Sequence, residues 1–248
     1  MGWLVAGFWG LFSGSALLLG ASLGYFVQIP RSMIAAIMAY GAGILMSALA
    51  FELVEQAYTE GGFAATAIGF LGGAIVYTLA NWMLARQGAK HRKRSEKQPS
   101  ETDLAGSGMA IAIGALLDGI PESIVIGVSL LGGQTVSWVT VIAVFLSNVP
   151  EGLSSAAGMK QAGRSIGYVF AVWGTITLLS GVAAVCGYVG FNQTETAALA
   201  VVNTIAAGAM LAMITNTMIP EAVEVAHDWT GLITVCGFLS AFLISRIT

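Results

Sequence analysis

Ser107-GMAIAIGALLDGIPESIVIGVSL-Leu131 runs for 25 residues without a Lys or Arg, and its only charged side chains are Asp118 and Glu122 near the middle. At about 1.5 Å per residue a helix of this length spans roughly 37 Å, enough to cross a hydrocarbon layer about 30 Å thick. Its apolar residues are continuous rather than alternating, which fits a membrane helix and not a barrel strand.

The rest of the chain repeats that pattern. Of its 248 residues 56% are hydrophobic and only 9% charged, against roughly 25% charged in soluble domains. Seven further apolar runs, near 3–27, 33–57, 63–85, 135–159, 166–190, 197–220 and 231–247, make eight predicted transmembrane helices in one all-α membrane domain covering 1–248. The first run has no Lys or Arg before Arg31, so it lacks the basic start of a signal peptide and is expected to remain as a membrane helix. Cys186 and Cys236 sit singly in apolar runs and read as core-filling thiols.

Between the third and fourth runs, 86–106 is polar and basic, with Arg86, Lys90, Arg92, Lys93, Arg94 and Lys97, and reads as a flexible loop. Adding Arg31, Lys160 and Arg164 puts nine basic residues on one side of the membrane against Arg246 alone on the other. The positive-inside rule then places 86–106 in the cytoplasm and both termini outside the cytoplasmic (inner) membrane. With a net charge of −3 and no basic face, nucleic acid is excluded as a partner. Membrane lipids are expected around the bundle, and the basic loop could touch their anionic head groups.

A weak repeat relates Gly41-AGIL through Glu52-LVEQA in the second run to Ala206-AGAM through Thr217-MIPEA in the seventh. Those runs point in opposite directions. The expected plan is therefore an inverted repeat of three-helix units (helices 1–3 and 6–8) around central helices 4 and 5.

The central pair carries the chemistry. Asp118-Gly-Ile-Pro-Glu122 and Ser147-Asn-Val-Pro-Glu151 each place a Glu after a Pro, and helical spacing puts Asp118 with Glu122, and Ser147 and Asn148 with Glu151, on single faces. Pro121 and Pro150 cannot donate to the carbonyls of Leu117 and Leu146, so kinks with free backbone oxygens are expected. An ionised acid at bilayer depth must be neutralised, paired or metal-bound. No Lys or Arg lies inside these runs to do the pairing. Three carboxylates, an amide, a hydroxyl and two carbonyls make an oxygen-rich site for a divalent cation. The competing reading is that the acids are protonated and hydrogen-bonded between helices; three of them on two helices favour the ion path. Glu52, deep in the second run, is read as guiding cations from the outer mouth, whereas Glu55 lies at the interface. Glu221, Glu224, His227 and Asp228 could receive ions at the inner exit but read better as a solvated acidic run.

These Pro-Glu helices resemble the ZIP family of zinc and iron transporters, and the likeness extends over nearly the whole chain, including Gly41-Ala-Gly43 and Ala207-GAM through Ile219-Pro-Glu221. The resemblance implies inward transport of a divalent metal ion as substrate, zinc foremost with manganese or iron as alternatives, by alternating access and without enzymatic activity. It implies metal contacts at Asp118, Glu122, Ser147, Asn148 and Glu151. Asn216 and Glu221 stand at further family positions. Asp118 replaces a usual histidine, Ala184 a usual glutamate, and the loop has only His91 where a His-rich run is common. An all-oxygen site should favour zinc less and admit manganese or iron more readily.

Two other functions compete: a membrane protein that binds metal without passing it, and an intramembrane metal-dependent hydrolase, which lacks a His-Glu-x-x-His motif. Gly10 with Gly14, Gly20 with Gly24, and Gly69 with Gly73 form small-residue faces that could pack within the chain or build a homodimer.

Overall fold

The computed structural model describes residues 1–131 and 136–247. Among these the chain is helical throughout, without a strand: α1 (Gly2–Phe26), α2 (Arg31–Ala48), a π-helical turn (Leu49–Val54), α3 (Glu55–Ala85), a short 3-10 turn (Ala89–His91), α4 (Ser107–Val128), α5 (Trp138–Gln161), α6 (Ile166–Gly190), α7 (Thr196–Met213), a second π-helical turn (Ile214–Met218), α8 (Ile219–Ala226) and α9 (Trp229–Ile247). The expected start of the fifth run at residue 135 lies outside the described residues.

Among the described residues seven stretches are long and apolar enough to cross a membrane, with Arg31–Ala85 forming one of 55 residues. A straight rod of that length would reach about 80 Å, far beyond any bilayer core. It is broken at Gly62, whose φ of 72° and ψ of 178° lie in a region open essentially to glycine alone. The sequence placed its connection between the second and third runs at 58–62, and the break falls at the end of it.

The outside of the bundle is apolar. Along α3 the side chains of Ile68, Leu71, Ile75, Leu79 and Trp82 are exposed at helical spacing, forming the stripe expected of a surface bathed in lipid tails. Gly69, Gly73 and Tyr77, on the buried side of the same helix, pack inward. Cys186 and Cys236 are exposed on this outer surface, so they are not core-filling. A thiol behaves as a small apolar group, which makes lipid contact as acceptable to it as burial.

The glycine faces turn inward. Gly10 and Gly14 meet Thr177, Ser180 and Gly181 of α6, Gly20 and Gly24 meet Val149 and Leu153 of α5, and Gly69 and Gly73 meet Val201, Thr204 and Ile205 of α7. These approaches are backbone-close, and each is used within the chain.

Two hydrophobic clusters flank the middle of the bundle. One joins α2, α7 and the π-helical turns to Val125 and Ile126 of α4 and Val141 and Val144 of α5; the other joins α1 and α6 to Ile111 and Ala115 of α4 and Ala156 and Met159 of α5. Both clusters include α4 and α5, which are therefore central, yet these two helices touch each other only sparsely. Pro121 and Pro150 are accommodated inside helices that continue past them. The seam between α4 and α5 is where the polar residues collect.

The π-helical turns start at Leu49 and Ile214, which is the offset at which the sequence repeat superposes Gly41 on Ala206. A π turn adds a residue to the helical repeat and rotates everything after it, and such turns recur at functional sites.

Candidate cation site

Asp118 lies eleven residues into α4, about 16 Å along its axis, near the midpoint of the span. Asp118 and Glu122 are each 1% exposed, and Glu151 on α5 is 5% exposed. The structure brings all three to the α4–α5 seam, and it also brings their counter-charges, from the 86–106 segment. Arg92 donates from Nε to Asp118 Oδ2 at 2.9 Å and from Nη2 to Oδ1 at 2.8 Å. Lys93 Nζ donates to Glu151 Oε1 at 2.5 Å and stands 3.4 Å from Asp118 Oδ2. The expectation of a flexible, solvated loop is thus corrected: Ala89, Arg92, Lys93 and Gln98 are buried. No Lys or Arg lies inside the apolar runs, yet two from this segment reach the acids. A buried charge needs a partner, and residues adjacent in sequence to a span can supply one by folding back into it.

The seat around Arg92 is fully engaged. Its Nη1 donates to Asn81 Oδ1 at 2.7 Å, and its Nη2 donates to the Tyr77 hydroxyl at 2.8 Å, which in turn donates to Asp118 Oδ1 at 2.6 Å. Asp118 is therefore bound to one guanidinium and one phenol as well as facing an ammonium. Glu122 is different. Its Oε1 is buried with no hydrogen-bond partner. Three carboxylates face two cations, and Glu122 has neither.

Ser147 donates to the Val144 carbonyl at 2.9 Å, and the Asn148 amide nitrogen donates to the Ser13 carbonyl of α1 at 3.0 Å. Both are buried, Asn148 fastening α5 to α1 and Ser147 lying against Gly41 of α2, and neither is seen to contact the three acids. Glu221 is buried too. It accepts from the Ser95 N–H at 3.1 Å and from Ser154 Oγ at 3.3 Å, and its carboxylate lies 3.6 Å from Arg94. Glu224 pairs with Arg94 and Lys97. Of the acidic run, Glu221 and Glu224 are thus ion-paired to the loop rather than simply solvated, whereas His227 and Asp228 are exposed. Asn216 is exposed and takes no part in the buried set, whereas its neighbour Thr217 is buried.

Glu52 belongs to another place. With Gln56, Glu60, Ser129, Ser137 and Asn203 it lines a cavity of about 500 Å³ at the end of the seam away from the 86–106 segment. Ser137 Oγ donates to Glu52 at 3.4 Å, and Asn203 Oδ1 is buried without a partner. The carboxylate sits within the first π-helical turn. Glu55 is exposed.

Among the described residues no three His, Cys, Asp or Glu side chains converge as a metal cage. The Lys93 ammonium takes the position between Asp118 and Glu151 that a cation would use. Fit is carried instead by the unpartnered Glu122 oxygen beside them and by the oxygen-only donor set, which suits hard or borderline divalent ions. At Ala184 a glutamate would not fit, because Ala184 is fully buried against Gly10 and Gly127 at backbone-close range.

Sequence reading missed Arg92, Lys93, Tyr77, Asn81, Ser154 and Gln98 as members of the site. The available signal was charge balance: three unpaired intramembrane acids beside a run of three consecutive cations, Arg92 to Arg94.

The polar segment is also fastened at its far end. Glu101 pairs with Arg164 at 2.5 Å and accepts from the N–H groups of Gly108 and Gly106 at the start of α4. The Arg164 hydrogen bond, followed by those two backbone bonds, holds its carboxyl down at about 2. Burial, and then Arg94 and Lys90, push His91 below its usual value.

No protein-family model matches the chain, and no curated protein matches it.

Proposed function

We propose that this chain is a divalent metal cation transporter of ZIP-like plan, moving its substrate through the α4–α5 seam by way of Glu122, Glu151 and Asp118. One observation carries the reading. Three buried acids lie at mid-span depth with two inserted cations, and one of the acids, Glu122, has its Oε1 buried without a hydrogen-bond partner. A seam that already holds two positive charges at that depth and retains a free carboxylate is a cation site. The 500 Å³ cavity lined by Glu52 is then the approach from the opposite end.

Eight crossings are part of this proposal, the break at Gly62 dividing Arg31–Ala85 into two. The matching offset of the two π-helical turns supports an inverted repeat about α4 and α5. The bias of nine basic residues against one supports a cytoplasmic 86–106 segment with both termini outside. Transport is then inward, from the Glu52 cavity to the Glu221 end. Zinc, manganese and ferrous iron are the candidate substrates, and an oxygen-only set should let manganese compete well.

The test is uptake of Mn²⁺, Zn²⁺ and Fe²⁺ by vesicles containing the purified chain, with Glu122→Gln and Glu151→Gln alongside. Saturable uptake that both substitutions abolish is expected. Metal binding without uptake by the unaltered chain would overturn transport in favour of a metal-binding membrane protein.

A further inference from the structure

We propose that residues 90–98 form a tethered competitor for the metal ion: the Lys93 ammonium fills the cation position between Asp118 and Glu151, so docking of this strap and metal occupancy exclude one another. The inference rests on the transport reading above and adds a regulatory part to the same site.

The strap has a built seat. Ser154 donates to the Lys93 carbonyl at 2.5 Å, the Ser95 N–H donates to Glu221, and the Gln98 amide donates to the carbonyls of Arg92, Arg94 and Ser155. The helices are shaped to let it in. A Cβ at Gly114 would stand 2.5 Å from Arg92 Cδ, and one at Gly158 would collide with the Arg94 carbonyl oxygen and the Gln98 amide. No general requirement of helix packing explains these two glycines, since what they approach is the strap.

Charge balance decides which ion can displace it. With Lys93 docked, two cations face three carboxylates, and Glu122 stays unpaired. A monovalent ion in place of the ammonium would pair with Glu151 and leave Glu122 as it is. A divalent ion, with Arg92 remaining on Asp118, can draw on the carboxyl groups of both Glu151 and Glu122. Expulsion of Lys93 is therefore favoured specifically by a doubly charged substrate, and the metal would settle between Glu122 and Glu151.

Release is easy at the strap's outer edge. Lys97 holds a φ of 64°, uncommon for a residue with a Cβ, and is tied down by its exposed pair with Glu224. Exposed ion pairs contribute little. The Arg31–Glu96 pair, with Arg31 exposed, belongs to the same rim. The strap is held by the ion pairs of Arg92 and Lys93 in the seam and by the Ser95 and Gln98 hydrogen bonds of its seat, and the rim pairs add little.

Two sites that exclude each other are thermodynamically linked, so weakening strap docking must tighten metal binding by the same factor. The experiment uses the full chain in nanodiscs, with free Mn²⁺ counted by its electron paramagnetic resonance signal. Gly158→Ala keeps every charge and obstructs the seat; Lys93→Gln keeps the seat and removes the ammonium. Both should bind Mn²⁺ about tenfold more tightly, within the roughly 5- to 150-fold range usual for such coupling. In the unaltered chain, amine labelling at Lys93, read by peptide mass spectrometry, should accelerate on adding Mn²⁺ with the same half-saturation as binding. Labelling unaffected by saturating Mn²⁺, with unchanged affinity in both variants, would overturn the strap while leaving transport intact. Linked binding and labelling without vesicle uptake would uphold the strap and defeat transport. No Mn²⁺ binding by any of the three proteins would defeat both.

Discussion

The two ends of the α4–α5 seam differ in what neutralises their acids. At the end bearing the 86–106 segment, Asp118, Glu151 and Glu221 are buried and matched by Arg92, Lys93 and Arg94 from one short stretch of chain. At the other end, Glu52 faces a 500 Å³ cavity and has only the Ser137 hydroxyl as a hydrogen-bond partner. At the closed end the acids are held in ion pairs; at the open end Glu52 faces a cavity and, among the described residues, is in no ion pair, Arg246 acting on it only at longer range. An acid in a water-filled cavity is solvated and attracts mobile ions, whereas an acid at mid-depth must be protonated or matched by a fixed or a delivered charge. That asymmetry is the form expected of a pathway shut at one end.

The harshest way to break the comparison is to remove a fixed charge from the closed end. Arg92→Met should destabilise the protein by about 3–5 kcal/mol, because Asp118 would stay buried with its main partner gone. Unfolding in mild detergent measures this. Adding Asp118→Leu to the same chain should restore most of the loss, since a buried pair replaced by packed apolar groups is often neutral. If the double variant is no more stable than the single one, the pair does not act as a unit.

Glu122→Gln separates stability from transport. Glu122 has no partner to lose at Oε1, so the folded state should tolerate the amide within about 1 kcal/mol, unlike the Arg92 variant. Metal uptake should nevertheless fall at least tenfold, because an amide cannot supply the second negative charge that a divalent ion calls for. Equal damage to uptake and to stability would mean that Glu122 is a structural residue.

At the open end the effect should be milder. Glu52→Gln removes an attracting charge from a roomy, solvated cavity, and the half-saturation concentration for Mn²⁺ uptake should rise about threefold at low salt. The difference should shrink at about 0.5 M salt, where screening shortens the reach of a surface charge. A salt-independent loss, or collapse of the maximal rate, would place Glu52 in the closed site's chemistry instead.

How much of this was legible from sequence follows from which forces act locally. Continuous apolar runs located the helices, and the 58–62 connection anticipated the break at Gly62, because hydropathy and a glycine at positive φ are both local signals. The Asp118, Glu122 and Glu151 faces were legible because helical spacing fixes which side chains share a side. The π-helical turns were not, since a one-residue change of helical register leaves hydropathy unaltered. Burial of Arg92 and Lys93 was hidden for another reason. A basic, polar segment satisfies every compositional rule for a solvated loop, and only its partners on α3, α4 and α5 make burial favourable. Asn216 shows the converse: a match by family position placed it among the ligands, and the helical turn leaves it exposed.

The smallest effect belongs to the outer fastening of the closed end, and it tests whether that end is held shut by more than Arg92 and Lys93. Glu101 joins Arg164 to the first N–H groups of α4, and its carboxyl is held at about 2 against an ordinary 4.5. A depressed folded value means that the ionised form stabilises the folded state. The contribution is therefore complete above pH 4.5 and is lost as pH falls from there through about 2. The group is exposed, so the effect should be slight. Thermal unfolding of the unaltered chain and of Glu101→Gln should differ by a small constant amount at neutral pH, and the two curves should converge on acidification below 4.5. Convergence with no change in Lys93 labelling would make Glu101 an independent fastening of the segment. A rise in Lys93 labelling over the same pH range, seen in the unaltered chain and already present in Glu101→Gln at neutral pH, would join it to the strap.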